Sequence, residues 1–247
     1  MDSCIRRNDR KEIMKVDVLG VKIDDISITE ALARVERWIW NPGKHYIVTP
    51  NPEFVVAAQK DPVFKKILND ADLSIPDGAG LRLSGKVKNI FSGTDFMERL
   101  VGLAAEKGFT AGFLGGRDGV AQKCAECLLR KYPGLKVTFA ESGGEIDDDG
   151  RWMVDDGTFK VPPVDILFVA FGHIKQEKWI ESNLEKIPVK LAMGVGGAFD
   201  YLSGSIPRAP KWMRGLELEW LFRLILQPWR IKRQLALLQY LWLVMIK

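Results

Sequence analysis

The chain has 247 residues, of which 47% are hydrophobic and 28% charged, a balance that excludes extensive disorder and allows one large core or two small ones. Its net charge of +4 is uneven, because the segment from Arg208 to Lys247 carries a net charge of +6 while the remaining residues sum to −2. A basic end on a mildly acidic body indicates an anionic partner, either a nucleic acid or an anionic membrane surface.

Residues 1–15 are polar and lack the apolar segment of a signal peptide, so they are predicted to form a disordered leader. From Val16 onward, strand-like and helical segments alternate. In chain order the predicted elements are a strand at 16–24 that allows a hairpin, a helix at 28–40, a strand at 45–50, helices at 51–59 and 61–71, a strand at 72–76, a helix at 94–108, a strand at 109–116, a helix at 118–132, strands at 135–142 and 164–172, a helix at 175–187, and a last segment at 189–200. Thr94 or Asp95 is expected to cap the helix at 94–108.

Strands that alternate with helices of about 10–15 residues predict a mostly parallel, doubly wound, Rossmann-like α/β sheet that is covered on both faces. The predicted domain spans residues 16–207. Ligands of such sheets bind beyond the carboxyl ends of the strands. The residues that follow apparent strand ends, and therefore belong to a candidate site, are Thr49, Asn51, Asp77, Gly115, Gly116, Gly172, Gly194, Gly196 and Gly197.

Residues 208–247 have a different pattern and are predicted to form a basic, amphipathic helical appendage. Its last apolar run, LALLQYLWLVMI, has 12 residues, whereas a helix needs about 20 residues to span a bilayer. Tryptophans among basic side chains are typical of a helix that lies at a membrane surface, which is the interpretation we favour. A helix docked on the protein core and an oligomer interface are the alternatives.

Three short motifs each allow a structural and a functional interpretation. FLGGRDGVAQK (113–123) is either a tight turn between a strand and a helix or a loop whose backbone N–H groups hold a phosphate. TPNPE (49–53) is favoured as a helix cap, and the alternative places Thr49 and Asn51 in the crevice at the strand ends. The Pro-Asp-Gly at 76–78 is either a plain turn or a turn that presents the Asp77 carboxylate as a general base.

Patterns that would bind a metal or carry redox chemistry are weak. The DDD at 147–149 is similar to the D-x-D of metal-dependent sugar-nucleotide enzymes, but its polar surroundings favour a solvated loop. Cys124 and Cys127 have the spacing of one buried helical face, and a redox or metal pair is the alternative. The chain has three cysteines, two histidines and no Cys/His cluster, so we predict no metal and a reducing compartment.

Six segments, in order, together resemble the WecG/TagA/CpsF family of glycosyltransferases over residues 16–233: TPNPEFVVAAQKDPVFKKILNDADLSIPDGAGL, SGTD, FLGG, VAFGHIKQEKWI, MGVGGAFDYLSGSIPRAP and LEWLFRLILQPWR. The resemblance implies a bacterial inverting enzyme that needs neither a metal nor a cofactor and works as a peripheral protein at the cytoplasmic face of the plasma membrane. It implies transfer of N-acetylmannosamine from a UDP donor to undecaprenyl-diphosphate-linked N-acetylglucosamine, as in wall teichoic acid linkage-unit synthesis. Transfer of N-acetylmannosaminuronic acid or another hexose, for common antigen, capsule or exopolysaccharide, is the alternative.

The resemblance also implies roles for individual residues. It makes Asp77 the general base, Thr49 and Asn51 residues of the substrate pocket, and Gln176 a residue on the nucleotide side. The basic side chains expected to close over the lipid diphosphate are Arg214, Arg223, Arg230 and Arg233. The backbone N–H groups of the glycine loops are expected to hold the donor diphosphate, and the residues concerned are Gly115, Gly116, Gly196 and Gly197.

Three positions depart from the family pattern, namely Ile90 in place of an arginine, Ile174 in place of a proline and Gln227 in place of a glutamate. They bear on donor choice and rate more than on the class of reaction. A second hypothesis from another class is a nucleotide-binding regulatory protein or an RNA-binding protein without enzymatic activity. The aromatic and aliphatic residues of the appendage favour a lipid partner over a nucleic acid.

Overall fold

The computed structural model describes residues 15–153, 160–215, 218–228 and 231–246, and only the backbone of residues 232–234. The predicted leader lies outside the described residues, except for Lys15, which begins the first strand. The strands are β1 (Lys15–Val18), β2 (Val21–Asp24), β3 (His45–Val48), β4 (Leu73–Ser74), β5 (Thr110–Gly115), β6 (Lys136–Glu141), β7 (Val164–Ala170) and β8 (Val189–Gly194). The helices are α1 (Ile28–Trp40), α2 (Pro52–Lys60), α3 (Pro62–Asp70), α4 (Gly93–Lys107), α5 (Val120–Lys131), α6 (Lys175–Asn183), α7 (Ala198–Leu202), α8 (Lys211–Gly215), α9 (Glu219–Leu226) and α10 (Ile231–Met245).

Strands β3 to β8 form one six-stranded sheet in the order β4-β3-β8-β7-β5-β6, and every neighbouring pair is parallel. The chain runs outward from β3 to β4 and then crosses to β5 on the other side of the sheet. The loops that follow β3, β8 and β7 therefore emerge side by side at the same edge, where the strand order reverses. Strands β1 and β2 pair as a hairpin, which the sequence allowed, with positive φ angles at Leu19 and Gly20 in its two-residue turn.

Successive residues of the buried strands face opposite sides of the sheet, and helices cover both sides. On β3, Ile47 packs in the cluster formed with α1, α4 and α5, whereas Val48 packs in the cluster formed with the hairpin, α2 and α3. A third cluster joins β7 and β8 to α6 around the buried Trp179. The predicted doubly wound, Rossmann-like α/β fold is confirmed.

Helix starts in the first half of the chain follow from local sequence. Ser27 and Glu30 form a reciprocal capping box at α1. Asn51 and Asp61 accept hydrogen bonds from the third residues of α2 and α3, and both helices have proline as their first residue. These caps separate the two helices and fix the direction in which α2 leaves the carboxyl end of β3.

One predicted helix start is wrong, and one predicted segment divides into two elements. Helix α4 begins at Gly93, with Ser92 as its N-cap rather than Thr94 or Asp95, because the Ser92 hydroxyl accepts from the Thr94 N–H at 3.2 Å. The predicted segment at 189–200 is two elements, β8 and the short helix α7, separated by a glycine loop. Because that loop lies directly after a central strand, it belongs to the ligand-binding edge.

The C-terminal helices lie partly on the core. Helix α10 packs against α2 and the 3₁₀ turn Ala79–Ser84, and its Tyr240 is fully buried. The exposed large apolar side chains of α9 and α10 include Trp220, Ile225, Leu235, Leu238, Trp242 and Met245. One face of α10 is therefore docked on the protein while another carries apolar side chains to the surface. Within the described ranges, no helix is both long and apolar enough to cross a membrane.

Candidate active site

The carboxyl edge of the sheet opens into a cavity of about 630 Å³. Its floor is formed by the loops after β3, β4, β7 and β8 together with the N-terminus of α4, and α8, α9 and α10 contribute its far wall. The sequence-predicted residues that line it are Thr49, Asn51, Asp77, Gly172, Gln176, Gly196, Gly197, Arg214 and Arg223. Residues that are 174 positions apart in the chain, from Thr49 to Arg223, therefore meet around one space.

Asp77 lies on the cavity floor, where three motifs meet. Its N–H donates to the Pro50 carbonyl at 2.9 Å, which ties the Pro-Asp-Gly turn to the TPN segment. The Gly93 N–H at the start of α4 donates to the Asp77 carboxylate. A Cβ atom on Gly93 would lie 3.4 Å from Asp77 Oδ2 and 3.2 Å from Thr49 Cγ2, so the start of α4 packs closely against both residues. The Pro-Asp-Gly segment therefore forms a turn, and this turn presents the Asp77 carboxylate to the cavity.

Burial raises the pKa of Asp77 to about 7. The Gly93 N–H opposes this rise, since it stabilises the carboxylate. Glu219 and Asp95 raise the pKa further through charge repulsion, and Arg208 lowers it. A carboxyl group with a pKa near neutrality can take a proton and release it at physiological pH, which is what a general base requires.

Thr49 and Asn51 serve the fold and the cavity at once. Asn51 Oδ1 accepts from the Phe54 N–H at 3.0 Å, so the capping interpretation is confirmed. Both residues also line the cavity, as the alternative interpretation predicted. A Cβ atom on Gly78 would lie 4.0 Å from Asn51 Cβ, which places the capping residue beside the Asp77 turn.

Gln176 holds the loop that follows β8. Its Oε1 accepts from the Gly196 N–H at 2.9 Å, and its Nε2 donates to Glu177 Oε1 at 2.7 Å. Gln176 is 2% exposed and Glu177 is fully buried, and burial raises the pKa of Glu177 to about 7. Both ends of the Gln176 amide are thus engaged within the protein, so this residue positions the glycine loop at the cavity wall.

Two of the four predicted arginines are described, and both face the cavity. The Arg223 guanidinium lies 4.9 Å from the centre of the Tyr201 ring, and a Cβ atom on Gly197 would clash with its Nη2. Arg214 Nη1 lies 3.8 Å from Asp95 Oδ1. Within the described part of the chain, the buried Nε atoms of Arg214 and Arg223 have no hydrogen-bond partner. Arg230 and the side chain of Arg233 lie outside the described residues.

A second cavity of about 550 Å³ adjoins the first, and both are lined by Gly196, Gly197 and Arg223. Gly116 lines this second cavity, but its N–H donates to the Ala170 carbonyl at 2.9 Å and is not free for a phosphate. Gly115 lines neither of these two cavities as the described residues form them. A Cβ atom at Gly115 would lie 2.7 Å from the Ala170 carbonyl carbon, so this glycine allows β5 and β7 to approach.

The acidic and cysteine patterns lie away from the floor of the cavity. Asp147 accepts backbone hydrogen bonds within its own turn, and the Asp148 side chain is 97% exposed beside Lys175. Cys124 is buried in the α5 face of the core, and burial raises the pKa of its thiol to about 12. Across the residues that are described, no three His, Cys, Asp or Glu side chains cluster as a metal site would need.

Sequence reasoning missed the polar network around Asp77. Arg208, in the GSIPRAP segment, bonds both Asp95 on α4 and Glu219 on α9. Its only sequence signal is the family resemblance of that segment, since the partners are 113 and 11 residues away. Ile90, which stands where the family usually has an arginine, lines the same cavity as an apolar side chain.

The cavity lies at the switch point of a parallel, doubly wound sheet, and a carboxyl group with a near-neutral pKa and arginine side chains face it. Together these features define an α/β enzyme site suited to an anionic, phosphate-bearing substrate. Residues 16–247 match the Glycosyl transferase WecG/TagA/CpsF family. The chain belongs to this family, and it is a glycosyltransferase.

Curated relatives are similar over most of the chain. A protein of Bacillus subtilis (strain 168) is 34% identical over 210 residues, which are 80% of this chain and 80% of the relative. A protein of Bacillus spizizenii is 32% identical over 87% of this chain and 85% of its own length, and one of Staphylococcus aureus (strain MRSA252) is 29% identical over 91% and 90%. All three are named N-acetylglucosaminyldiphosphoundecaprenol N-acetyl-beta-D-mannosaminyltransferase.

Proposed function

We propose that the protein transfers N-acetylmannosamine from UDP-N-acetylmannosamine to N-acetylglucosamine carried on undecaprenyl diphosphate, with inversion at the anomeric carbon. The observation that carries the proposal is the placement of Asp77, a half-buried carboxyl group with a pKa of about 7, on the floor of a cavity that arginines face. The names of relatives that are 29–34% identical over most of the chain support this choice of donor sugar and acceptor.

The two adjoining cavities suit a sugar nucleotide. Arg223 lines both of them, so a diphosphate beside its guanidinium would have the nucleoside on one side and the sugar on the other. The buried Nε–H groups of Arg214 and Arg223 supply charged donors for phosphate oxygens. The Gly196 N–H is held by Gln176, so the loop contributes a fixed wall rather than a free donor at that position.

In the proposed reaction, Asp77 accepts the proton of the acceptor hydroxyl while the hydroxyl oxygen forms a bond to the anomeric carbon. The bond between that carbon and the UDP oxygen breaks on the opposite face, and the electron pair leaves with UDP. Arg214 and Arg223 offset the negative charge that grows on the leaving diphosphate. The proton then passes from Asp77 to water. General-base assistance of this kind contributes about 10²- to 10⁴-fold in rate.

An acceptor carried on undecaprenyl diphosphate would bring the enzyme to a membrane, and we propose that the exposed apolar face of α9 and α10 contacts the cytoplasmic leaflet of the bacterial plasma membrane. Trp220 lines the cavity and is 43% exposed, so the path from the cavity to this face is short. Leu238 and Trp242 lie four residues apart on α10, and both are exposed. Tryptophan and aliphatic side chains on one helix face are typical of an interfacial segment.

The test of the transfer reaction is turnover of purified protein with a panel of UDP-sugars and a lipid-diphosphate N-acetylglucosamine acceptor. UDP-N-acetylmannosamine is expected to give a β-linked disaccharide on the lipid. Asp77→Asn should lower the rate by about 10²- to 10⁴-fold, whereas Asp148→Asn should leave it unchanged. Turnover with a different UDP-sugar alone would correct the donor, and full activity of Asp77→Asn would remove Asp77 as the base.

Membrane contact is tested by co-sedimentation with anionic liposomes. Replacing Leu238 and Trp242 together by glutamine is expected to lower the bound fraction, because both side chains are exposed on α10. Val63→Gln on α3 is the matched control, since Val63 is similarly exposed on another helix. An unchanged pellet fraction for the double variant would exclude this face. Binding to RNA without binding to liposomes would instead support the nucleic-acid hypothesis.

A further inference from the structure

Arg208 joins three segments that surround the cavity. It lies between α7 and α8, where its Nη1 donates to Asp95 Oδ1 at 2.7 Å and its Nε donates to Glu219 Oε1 at 3.0 Å. Asp95 is in the first turn of α4, and Glu219 is the first residue of α9. The Arg208 side chain is only 17% exposed. A single guanidinium therefore links α9 to α4 through two charge-assisted hydrogen bonds.

The Arg208 cation offsets negative charge at the cavity. Asp95 and Glu219 line the cavity together with Asp77 and Glu53, so four carboxyl groups share the space into which a diphosphate would enter. Arg214 and Arg223 alone would leave this region with an excess of negative charge before any substrate binds. Because attraction and repulsion are strong in a partly desolvated cavity, two unpaired carboxylates would weaken diphosphate binding.

Resting on the proposed function, we propose that Arg208 is a positioning residue for the transfer reaction. Through Asp95 and Glu219 it holds the segment that carries Arg214 and Arg223 over Asp77, and its single positive charge offsets part of the negative charge of these two carboxylates. Arg208 itself does not line the cavity that the described residues form, so it acts on the substrate through its two partners.

Arg208→Met and Glu219→Gln both break the Arg208–Glu219 pair, but they should shift the pH–rate profile in opposite directions. The charged groups around Asp77 are Asp95 from α4, Glu219 and Arg223 from α9, Arg208 and Arg214 from the segment before α9, Glu53 from α2, and His173 after β7. Losing the Arg208 cation makes ionisation of Asp77 harder, whereas losing the Glu219 charge makes it easier. A role in holding the segment alone would make the two variants alike.

The experiment compares pH–rate profiles of the full chain with Arg208→Met, Arg208→Lys and Glu219→Gln. Arg208→Met should move the acidic limb of kcat upward by about 0.5 to 1 pH unit and raise KM for the UDP-sugar, so the rate at pH 6.5 falls about 3- to 10-fold from this shift and recovers above pH 8. Glu219→Gln should move the limb downward. Arg208→Lys should keep the limb in place, because it keeps the charge. Lys211→Met, which removes an exposed charge from the same segment, is the control and should change nothing.

Equal rate losses at every pH for Arg208→Met and Glu219→Gln would overturn the proposal. If Arg208→Met does not fold, the proposal is still decided by the other two variants: the acidic limb should stay in place in Arg208→Lys and move downward in Glu219→Gln, and equal rate losses at every pH in both would overturn it. If the wild-type chain turns over no UDP-sugar, the proposed function fails on its own. The Arg208 proposal is then decided by thermal unfolding, since Arg208→Met should raise the pH at which the stability difference between Asp77→Asn and its parent stops growing, and an unmoved pH would refute it.

Discussion

Replacing Asp77 by asparagine should stabilise the folded protein while it removes most of the activity. Burial raises the pKa of Asp77 from 3.8 to about 7, so ionising this group is harder in the folded chain than in the unfolded one. A full shift of this size corresponds to about 4 kcal/mol. Because Asp77 keeps part of its surface open to the cavity, we expect roughly 2–4 kcal/mol.

The sign of the pH dependence follows from proton binding. Below about pH 4 the carboxyl group is protonated in both states, and it contributes no difference. Between pH 4 and pH 7 the unfolded chain releases the proton while the folded chain retains it, so the wild-type protein loses stability as the pH rises. Above pH 7 the loss is complete. Asparagine never ionises, and its amide oxygen can still accept from the Gly93 N–H, so Asp77→Asn avoids this loss.

The assay is thermal unfolding of both proteins from pH 4 to pH 8.5, alongside turnover. The melting temperature of Asp77→Asn should equal that of the wild type near pH 4 and exceed it by roughly 5–15 °C at pH 8, since about 1 kcal/mol corresponds to 2–4 °C for a chain of this size. Asp148→Asn is the control, because its exposed carboxylate should give a constant difference. A gap between wild type and Asp77→Asn that does not grow with pH would refute the buried, near-neutral carboxyl group.

Three further variants test other contacts of the site. Asn51→Asp should keep the melting temperature, because aspartate caps helices as well as asparagine does, yet it should lower turnover below pH 8 by adding a carboxylate beside Asp77. Equal decreases in the melting temperatures of Asn51→Asp and Asn51→Ala would contradict this. Gly197→Ala should raise KM for the UDP-sugar about 10-fold by displacing the Arg223 guanidinium, and the double variant with Arg223→Met should raise KM little further. Additive increases in the free energy of UDP-sugar binding would show that the two residues act separately. Glu177→Gln should keep activity, and its melting temperature should exceed that of the wild type by more at pH 8 than at pH 5, because burial raises the pKa of Glu177 to about 7. An effect on the melting temperature that does not change with pH would contradict that pKa.

Local chemistry explains which parts of the fold the sequence could predict. The break between α2 and α3 follows from two Asx caps and two prolines, and the order of strands and helices follows from apolar runs of distinct length. The start of α4 was misplaced because SGTD offers three side chains that can cap a helix within four residues. Only the hydrogen bond from the Thr94 N–H to Ser92 shows which of them is used.

The environment of Asp77 could not be predicted in the same way. The Pro-Asp-Gly turn left two interpretations open, since a turn corner and a presented base have the same local sequence. What distinguishes them is supplied by distant segments, namely the Gly93 N–H, the Asp95 and Glu219 carboxylates and Arg208. Similarly, the glycine pair at 115–116 looked like a phosphate loop, but the Gly116 N–H is bound to the neighbouring strand β7. Both cases depend on contacts between strands or helices that periodicity does not encode.

The uneven charge of the chain has an explanation inside the protein as well as a possible one outside it. Four basic side chains after residue 207 are described, and three of them, Arg208, Arg214 and Arg223, are turned toward the carboxylates and the cavity. Among the four, only Lys211 is classed as exposed rather than partly buried. The described surface of α9 and α10 is instead apolar. Attraction of these described residues to a membrane would therefore depend more on burial of tryptophan and aliphatic side chains than on charge. In the proposed reaction, their positive charge would balance the carboxylates around Asp77 and bind the diphosphate.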